Sequence, residues 1–196
     1  MIRSIKPVDY EFKTEPYDHQ REAFMLSRDE VNYAYLMEMG TGKTKLTIDV
    51  GAWKYLQGEV NFWIVSAPNN VHRNWSHLEI PEHLPDWVER RTCVWSSQMK
   101  KADWEDYWSL WDADFKGLRI LCVNHDAFSV GERFWKTPSK DKNKPRFGTA
   151  ITKILDTFDC LFIVDESSKI KTPGARRAQR HVKLGKRAKA RRILTG

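Results

Sequence analysis

The chain is predicted to form an α/β domain built on a mostly parallel sheet with helices on both faces. Three observations carry this. Several short runs are apolar throughout rather than alternating, as strands covered on both faces are. Helical spacings separate these runs. One strand-like run breaks into Gly40-Thr41-Gly42-Lys43-Thr44 ahead of a helix, the layout of a phosphate-binding loop.

Residues 1–16 read as an extended lead-in punctuated by Pro7 and Pro16. Tyr17-Asp18-His19-Gln20 opens a helix with Asp18 as its N-cap and with Phe24 and Leu26 among its apolar positions. Tyr33 to Met37 is short, apolar and aromatic, a buried strand. Past the glycines, Leu46, Val50 and Trp53 fall at helical spacing. Asn61 to Ser66 is an apolar strand, Ala67-Pro68-Asn69-Asn70 is a turn, and a helix runs from about Val71 to Glu79. Thr92 to Trp95 is a short strand. Between Gln98 and Trp111, the residues Trp104, Tyr107, Trp108 and Trp111 stand at i, i+3, i+4 and i+7. That makes one aromatic face, which packs under the fold; base stacking is the other use of such a face.

Arg119 to Val123 is a further apolar strand. Residues 131–147 turn polar and basic around Pro138 and Pro145, a surface loop. Thr149 to Phe158 is helical, Cys160 to Asp165 is the last strong strand, and a basic helix follows Pro173-Gly174. Arg192-Ile193-Leu194 begins one more short strand. Ligands of parallel sheets sit at the carboxyl ends of the strands. The glycine loop, Ala67-Pro68, Asn124-His125 and Asp165-Glu166 all fall at such ends, so one sheet edge gathers every candidate.

The bulk numbers bound the class. A length of 196 residues suits one domain with a sizeable core, spanning 1–196. The 41% hydrophobic share is that of a globular chain. No apolar run reaches about 18 residues, and Met1 to Pro7 has no signal-peptide core, so a membrane span is not expected. Cys93, Cys122 and Cys160 lie in or beside strand-like runs and read as buried free thiols of a reducing, cytoplasmic compartment. No zinc spacing appears among the cysteines and the six histidines. Residues 169–196 hold eleven Lys or Arg and no acid, so against the chain total of +7 the other 168 residues sum to −4. The basic character is a local patch, suited either to a polyanion partner or to a solvated helix face.

The glycine loop has a specific physics. Gly40 and Gly42 let successive backbone N–H groups turn inward around an anion. The helix N-terminus adds unpaired N–H groups and the positive end of its dipole. Lys43 would reach the β- and γ-phosphates, and Thr44 would sit on Mg²⁺. The full pattern, G-x-x-x-x-G-K-S/T, has its first Gly replaced by Met37. Leu161-Phe162-Ile163-Val164-Asp165-Glu166 supplies the complement, four apolar residues ending in two carboxylates. Asp165 would hold Mg²⁺ directly or through water, and Glu166 would orient and deprotonate the attacking water. The two motifs on one sheet edge make a nucleotide site.

Six blocks in order resemble the N-terminal RecA-like lobe of the Swi/Snf-type ATPases of helicase superfamily two. Tyr17-Asp18-His19-Gln20 resembles the adenine-reading Q motif. Met37-Glu38-Met39-Gly40-Thr41-Gly42-Lys43-Thr44 resembles motif I. Val65-Ser66-Ala67-Pro68 with Asn74-Trp75 resembles motif Ia. Leu121-Cys122-Val123-Asn124-His125-Asp126 resembles motif Ib. Asp165 to Pro173 resembles motif II with its trailing Ile-Lys-Asn-Pro, and Arg192-Ile193-Leu194-Thr195-Gly196 resembles the start of motif III. The resemblance implies that Gln20 reads the adenine edge, since an amide both donates and accepts. It implies that Asn69, Asn70, Arg73 and Asn124 face a nucleic-acid backbone. It also makes the basic helix, with Arg176, Arg177 and Arg180, a DNA-facing element. Trp75 reads as core.

Departures from the family pattern are Met37 in place of Asp and Ser167-Ser168 in place of Ala-His or Ala-Gln, positions that relay nucleotide state. Bacterial and phage members are similar at the Glu-Ser step, so a phage or bacterial source is expected, with the host cytoplasm as the location for a phage protein. The chain stops inside motif III. A second RecA-like lobe carrying an arginine finger is expected from the remainder of the parent protein or from a partner chain. The isolated chain should bind ATP and Mg²⁺ weakly, hydrolyse slowly and not translocate. The implied function is the motor lobe of an ATP-dependent translocase acting on duplex DNA. The alternatives are an RNA helicase or restriction-enzyme motor lobe, which Ile170-Lys171-Thr172-Pro173 argues against in the RNA case, and a non-catalytic nucleic-acid-binding module, which the intact Lys43, Thr44, Asp165 and Glu166 argue against.

Overall fold

The computed structural model describes residues 10–196; the expected lead-in lies outside the described residues up to residue 9. The element order is α1 (Asp18–Ser27), β1 (Asn32–Leu36), α2 (Lys43–Leu56), β2 (Phe62–Ala67), α3 (Val71–Asn74), a π-helical turn (Trp75–Glu79), α4 (Ile80–His83), β3 (Arg90–Trp95), α5 (Lys101–Ser109), β4 (Leu118–Asn124), a 3₁₀ turn (His125–Ser129), α6 (Glu132–Lys136), α7 (Phe147–Thr157), β5 (Cys160–Val164), a 3₁₀ turn (Ser167–Ile170), α8 (Arg176–Gly185) and β6 (Ala190–Thr195). The six strands form one sheet in the order β1-β6-β5-β2-β4-β3, and every pairing is parallel. All strand C-termini therefore share one edge, as expected.

The core lies on both faces of the sheet. Trp63, Val65, Ile120, Cys122, Leu161 and Ile163 point to one face, against Phe24, Leu46, Ile48 and Trp75. Phe62, Ile64, Leu121, Val123, Phe162 and Val164 point to the other, against Tyr107, Phe128, Phe147, Ile151 and Ile154. Period-two alternation puts an apolar residue on each face, which is why these runs read as continuous. All three cysteines are free and buried. The aromatic face of α5 packs against β3, with Tyr107 in the core and Trp108 at the exposed rim. No helix among the described residues is long and apolar enough to cross a membrane.

Several local expectations are corrected. Asp18 is the first helical residue, and the cap is Tyr17, whose N–H donates to Gln20 Oε1 at 3.0 Å. Leu26 is exposed. Tyr10 is no mere lead-in: it is buried, stacks on Phe24 and donates to Asp49 Oδ1 at 3.2 Å. The stretch 131–147 carries α6 at its start. The helix expected to end at Glu79 continues through a π turn to His83. Pro81 has no N–H, and its ring crowds the carbonyl four residues back; the wider turn just before it relieves both faults.

One charged side chain clasps the sheet. Arg192 on β6 is completely buried. Its Nη atoms donate to the carbonyls of Ser27 and Glu30 at 2.8 Å each and of Val31 at 3.1 Å. These carbonyls belong to the end of α1 and the turn into β1, and the planar guanidinium, with five N–H donors, reaches all of them from one side chain.

Candidate nucleotide site

The glycine loop joins β1 to α2 at the shared edge. Gly40 and Gly42 have φ of 79° and 77°, the left-handed region that favours glycine. At Gly42 a side chain is also excluded by space, since a Cβ there would lie 2.0 Å from Gln20 Nε2. Gln20 is buried and spans two segments: Nε2 donates to the Thr41 carbonyl at 3.0 Å, while Oε1 accepts from Tyr17. His19 Nε2 donates to the same Thr41 carbonyl at 3.0 Å. The helix α1 thus holds the loop in shape, a role the sequence reading did not give it. The Gln20 amide still has one hydrogen and one lone pair beyond these bonds.

Lys43 starts α2 and folds over the loop, donating to the carbonyls of Met37 and Glu38 at 2.7 Å each. Thr44 follows it in the first turn, half-buried at the loop floor. The motif-III strand lies alongside: Met37 N–H donates to Thr195 O at 3.2 Å. A Cβ on Gly196 would stand 2.8 Å from Met37 O and 3.1 Å from Lys43 Nζ.

Asp165 and Glu166 leave the end of β5, with β6 between them and the loop strand. Both oxygens of the buried Asp165 carboxylate are engaged. Oδ2 accepts from Trp75 Nε1 at 2.8 Å and Oδ1 from the Glu166 N–H at 2.9 Å. Burial raises the Asp165 pKa; the bonds from Trp75 and Glu166 and the charge of Lys43 pull the other way. Burial leaves the Asp165 carboxylate short of solvation, which a hard cation would relieve, and its oxygen and the Thr44 hydroxyl are donors of the kind Mg²⁺ takes. Trp75 is core, as expected, but its indole N–H also fixes the Asp165 carboxylate. The π turn that begins at Trp75 sets that contact, and nothing in the local sequence announces it.

Glu166 sits at φ 46°, ψ 54° and Asn70 at φ 69°. They are the only non-glycine residues with positive φ among the described residues. Both lie at the candidate edge, where such strain concentrates.

The expected nucleic-acid residues divide. Asn69, Asn70 and Arg73 are exposed. Asn69 and Asn124 line one pocket of about 580 Å³ with Asp126, Trp95, Trp104 and Arg146. Asn124 Oδ1 also caps the following turn, accepting from Ala127 N at 2.9 Å. Arg73 faces a different recess, beside Asp103 and Asp106. In α8, Arg176 is exposed. Arg177 is half-buried, donating to Asp126 Oδ1 at 3.1 Å and to Lys169 O at 2.7 Å. Arg180 is a correction. It is buried, stacks on Trp135, and donates to Phe128 O at 2.9 Å, Val130 O at 2.6 Å and Glu132 Oε2 at 2.7 Å. Its guanidinium is engaged by these acceptors inside the fold.

Behind this edge, Ser66 on β2 contacts two buried imidazoles, His125 Nδ1 and His181 Nε2, each at 2.8 Å. Burial lowers the pKa of His125 to about 4 and of His181 to about 3, so both are neutral at neutral pH.

The Sulfolobus solfataricus SWI2/SNF2 ATPase core in complex with double-stranded DNA matches with a TM-score of 0.60 at 21% identity, over 97% of this chain and 34% of that one. The SWI2/SNF2 ATPase core domain of the same organism matches with a TM-score of 0.54 at 20% identity, again over 97% and 34%. No protein-family model and no curated protein matches the chain. The chain spans about a third of the length of the solved structures it resembles. Six parallel strands, a glycine loop on the edge strand and paired carboxylates on the third make this the RecA-like fold of the SWI2/SNF2 ATPase core.

Proposed function

We propose that the chain is the ATP-binding motor lobe of an ATP-dependent translocase on duplex DNA, hydrolysing ATP to ADP and phosphate when a second RecA-like lobe completes the site. The observation that carries this is the gathering of the Lys43 loop and the Asp165-Glu166 pair at one edge of the parallel sheet, on β1 and β5, the two strands that flank β6. Lys43 exchanges its hold on Met37 O and Glu38 O for the β- and γ-phosphates, and the N–H groups of Gly40 to Thr44 surround them. Thr44 and Asp165 would hold Mg²⁺, which would supply charge neutralisation on the phosphates. Glu166 takes a proton from water as its oxygen attacks the γ-phosphorus, and the bond from that phosphorus to the β-phosphate oxygen breaks. Gln20 offers its spare hydrogen and lone pair to the adenine edge, and the exposed Tyr17 ring beside it offers a stacking face.

Duplex DNA runs along the edge that carries Asn69, Asn70 and Asn124, with Arg73 in the neighbouring recess and Lys169, Lys171 and Arg176 as exposed cations beyond it. Leu36 and Met39 are 75% and 83% exposed beside the loop, an apolar rim suited to a second lobe. The test is an ATPase assay on a two-lobe version with duplex DNA, single-stranded DNA and RNA. Duplex DNA should accelerate hydrolysis most; preferential stimulation by RNA would favour the RNA-helicase reading. In the single lobe, Lys43→Ala should weaken ATP binding by roughly 30-fold or more. Unchanged binding would remove the phosphate-loop assignment and leave a non-catalytic binding module.

A further inference from the structure

Ser66 lies fully buried at the centre of the sheet, between the two imidazoles already described. The far nitrogen of each ring meets a main-chain carbonyl. His125 Nε2 is 2.9 Å from Asp165 O, and His181 Nδ1 is 2.7 Å from Arg177 O. A carbonyl oxygen only accepts, so each far nitrogen must carry its ring's hydrogen. A neutral imidazole has one such hydrogen. Both near nitrogens are therefore bare acceptors, and both face the same hydroxyl. Ser66 has one hydrogen to give. It can satisfy His125 or His181, and the remaining short contact then sets two lone pairs against each other.

The chain from Asp165 through His125, Ser66 and His181 to Arg177 thus has two arrangements of one hydrogen. Which one holds depends on its ends. A ring whose far N–H is drawn more strongly to its carbonyl becomes the better acceptor at its near nitrogen, because hydrogen bonds in series polarise one another. One end is the main chain of the candidate magnesium carboxylate. The other is the first turn of α8, where Arg177 also ties to Asp126 beside the pocket lined by Asn69 and Asn124. Neither ring is free to leave: His181 lies 3.9 Å from the Phe128 ring, centroid to centroid, and both imidazoles are buried.

We infer that Ser66, His125 and His181 are positioning residues that couple the nucleotide site to α8, the Ser66 hydroxyl passing its hydrogen from one imidazole to the other when either end of the chain shifts. The inference rests on the reading of the chain as an ATP-binding motor lobe, and its consequence is reciprocal: nucleotide changes DNA affinity by the factor by which DNA changes nucleotide affinity.

The test uses the chain with ¹⁵N-labelled histidine, ATP with Mg²⁺, and a duplex oligonucleotide. The long-range ¹⁵N–¹H spectrum should show the Nε2–H tautomer for His125 and the Nδ1–H tautomer for His181. Adding ATP with Mg²⁺ should shift the His181 Nε2 resonance, although His181 is not part of the phosphate loop. Duplex DNA should change ATP affinity at least about fivefold. Ser66→Ala should keep ATP affinity without DNA within about twofold, yet lose both the His181 response and the DNA effect; Ser66→Thr, which keeps a hydroxyl, should restore them. A His181 signal unmoved in a chain that binds ATP overturns the inference while leaving the proposed function intact, and needs no variant. A DNA effect equally large in Ser66→Ala also overturns it. An ATP isotherm showing no binding to the parent chain removes the functional reading and the coupling together.

Discussion

The glycine loop and the basic stretch 169–196 both announce themselves in the sequence, but the structure treats them differently. The loop works through its backbone. Its glycines adopt the left-handed conformations that the motif requires, and its lysine lies over the loop they shape. The basic stretch works through side chains, and their fates diverge. Arg192 and Arg180 are interior clasps on carbonyls. Arg177 and Arg187 are paired to Asp126 and Asp156, whereas Lys169, Lys171 and Arg176 remain exposed. A backbone motif fixes its geometry locally. A count of positive charges does not say which ones the fold has already spent.

The contrast can be broken first where it is strongest. Arg192→Met should destabilise the chain by about 3 kcal/mol or more in urea denaturation, because the carbonyls of Ser27, Glu30 and Val31 each lose a charge-assisted hydrogen bond from a buried guanidinium, while Arg176→Met should stay within about 0.5 kcal/mol. Similar losses for the two would mean that the stretch is uniformly surface. Next comes the backbone. Gly42→Ala adds strain at positive φ and a clash with Gln20, and should cost about 1–3 kcal/mol together with ATP binding measured by calorimetry.

The third prediction concerns pH. His181 has its folded pKa depressed to about 3, below the ordinary value of 6.5. Its contribution is therefore present above pH 6.5 and lost as pH falls towards 3, since unfolding then takes up a proton. The slope is about 1.4 kcal/mol per pH unit for this one group. Unfolding midpoints at pH 7.5, 6 and 5 should fall less steeply for His181→Gln than for the parent; His125 shares the sign and keeps part of the slope in both. The smallest effect is on DNA. Neutralising Lys169, Lys171 and Arg176 together should flatten the dependence of log K on log salt by about 2–3 units, and neutralising Arg180 in place of Arg176 should flatten it less.

Much of the fold was legible because its strands are apolar on both faces and its breaks fall at Gly, Pro and Asn. Asp165-Glu166 and Gly40 to Thr44 were legible because each is a local pattern. What was hidden is contact between distant segments. Trp75 reads as core by its apolar neighbours, and only the fold shows its N–H on a carboxylate ninety residues away. His181 reads as one more polar residue of a basic helix, yet it lies beneath the sheet edge. Arg180 gave no sign that three acceptors wait for it. Spacing along one helix shows which residues share a face, but not what that face will meet.

The strand that carries Arg192 has a further consequence. It is the last strand of the described residues and lies between β1 and β5, the second position in the sheet's order, filled only when residues 190–195 exist. During synthesis, β5, β2, β4 and β3 can assemble as soon as β5 emerges. The first strand and its glycine loop must wait, without a neighbour to pair with, until the ribosome has delivered almost all of the described chain. Such late, long-range pairing is slow and exposes an unpaired edge. The glycine loop, made before most of the described chain, is then among the last of its segments to acquire its shape, which ties the candidate site to completion of the sheet.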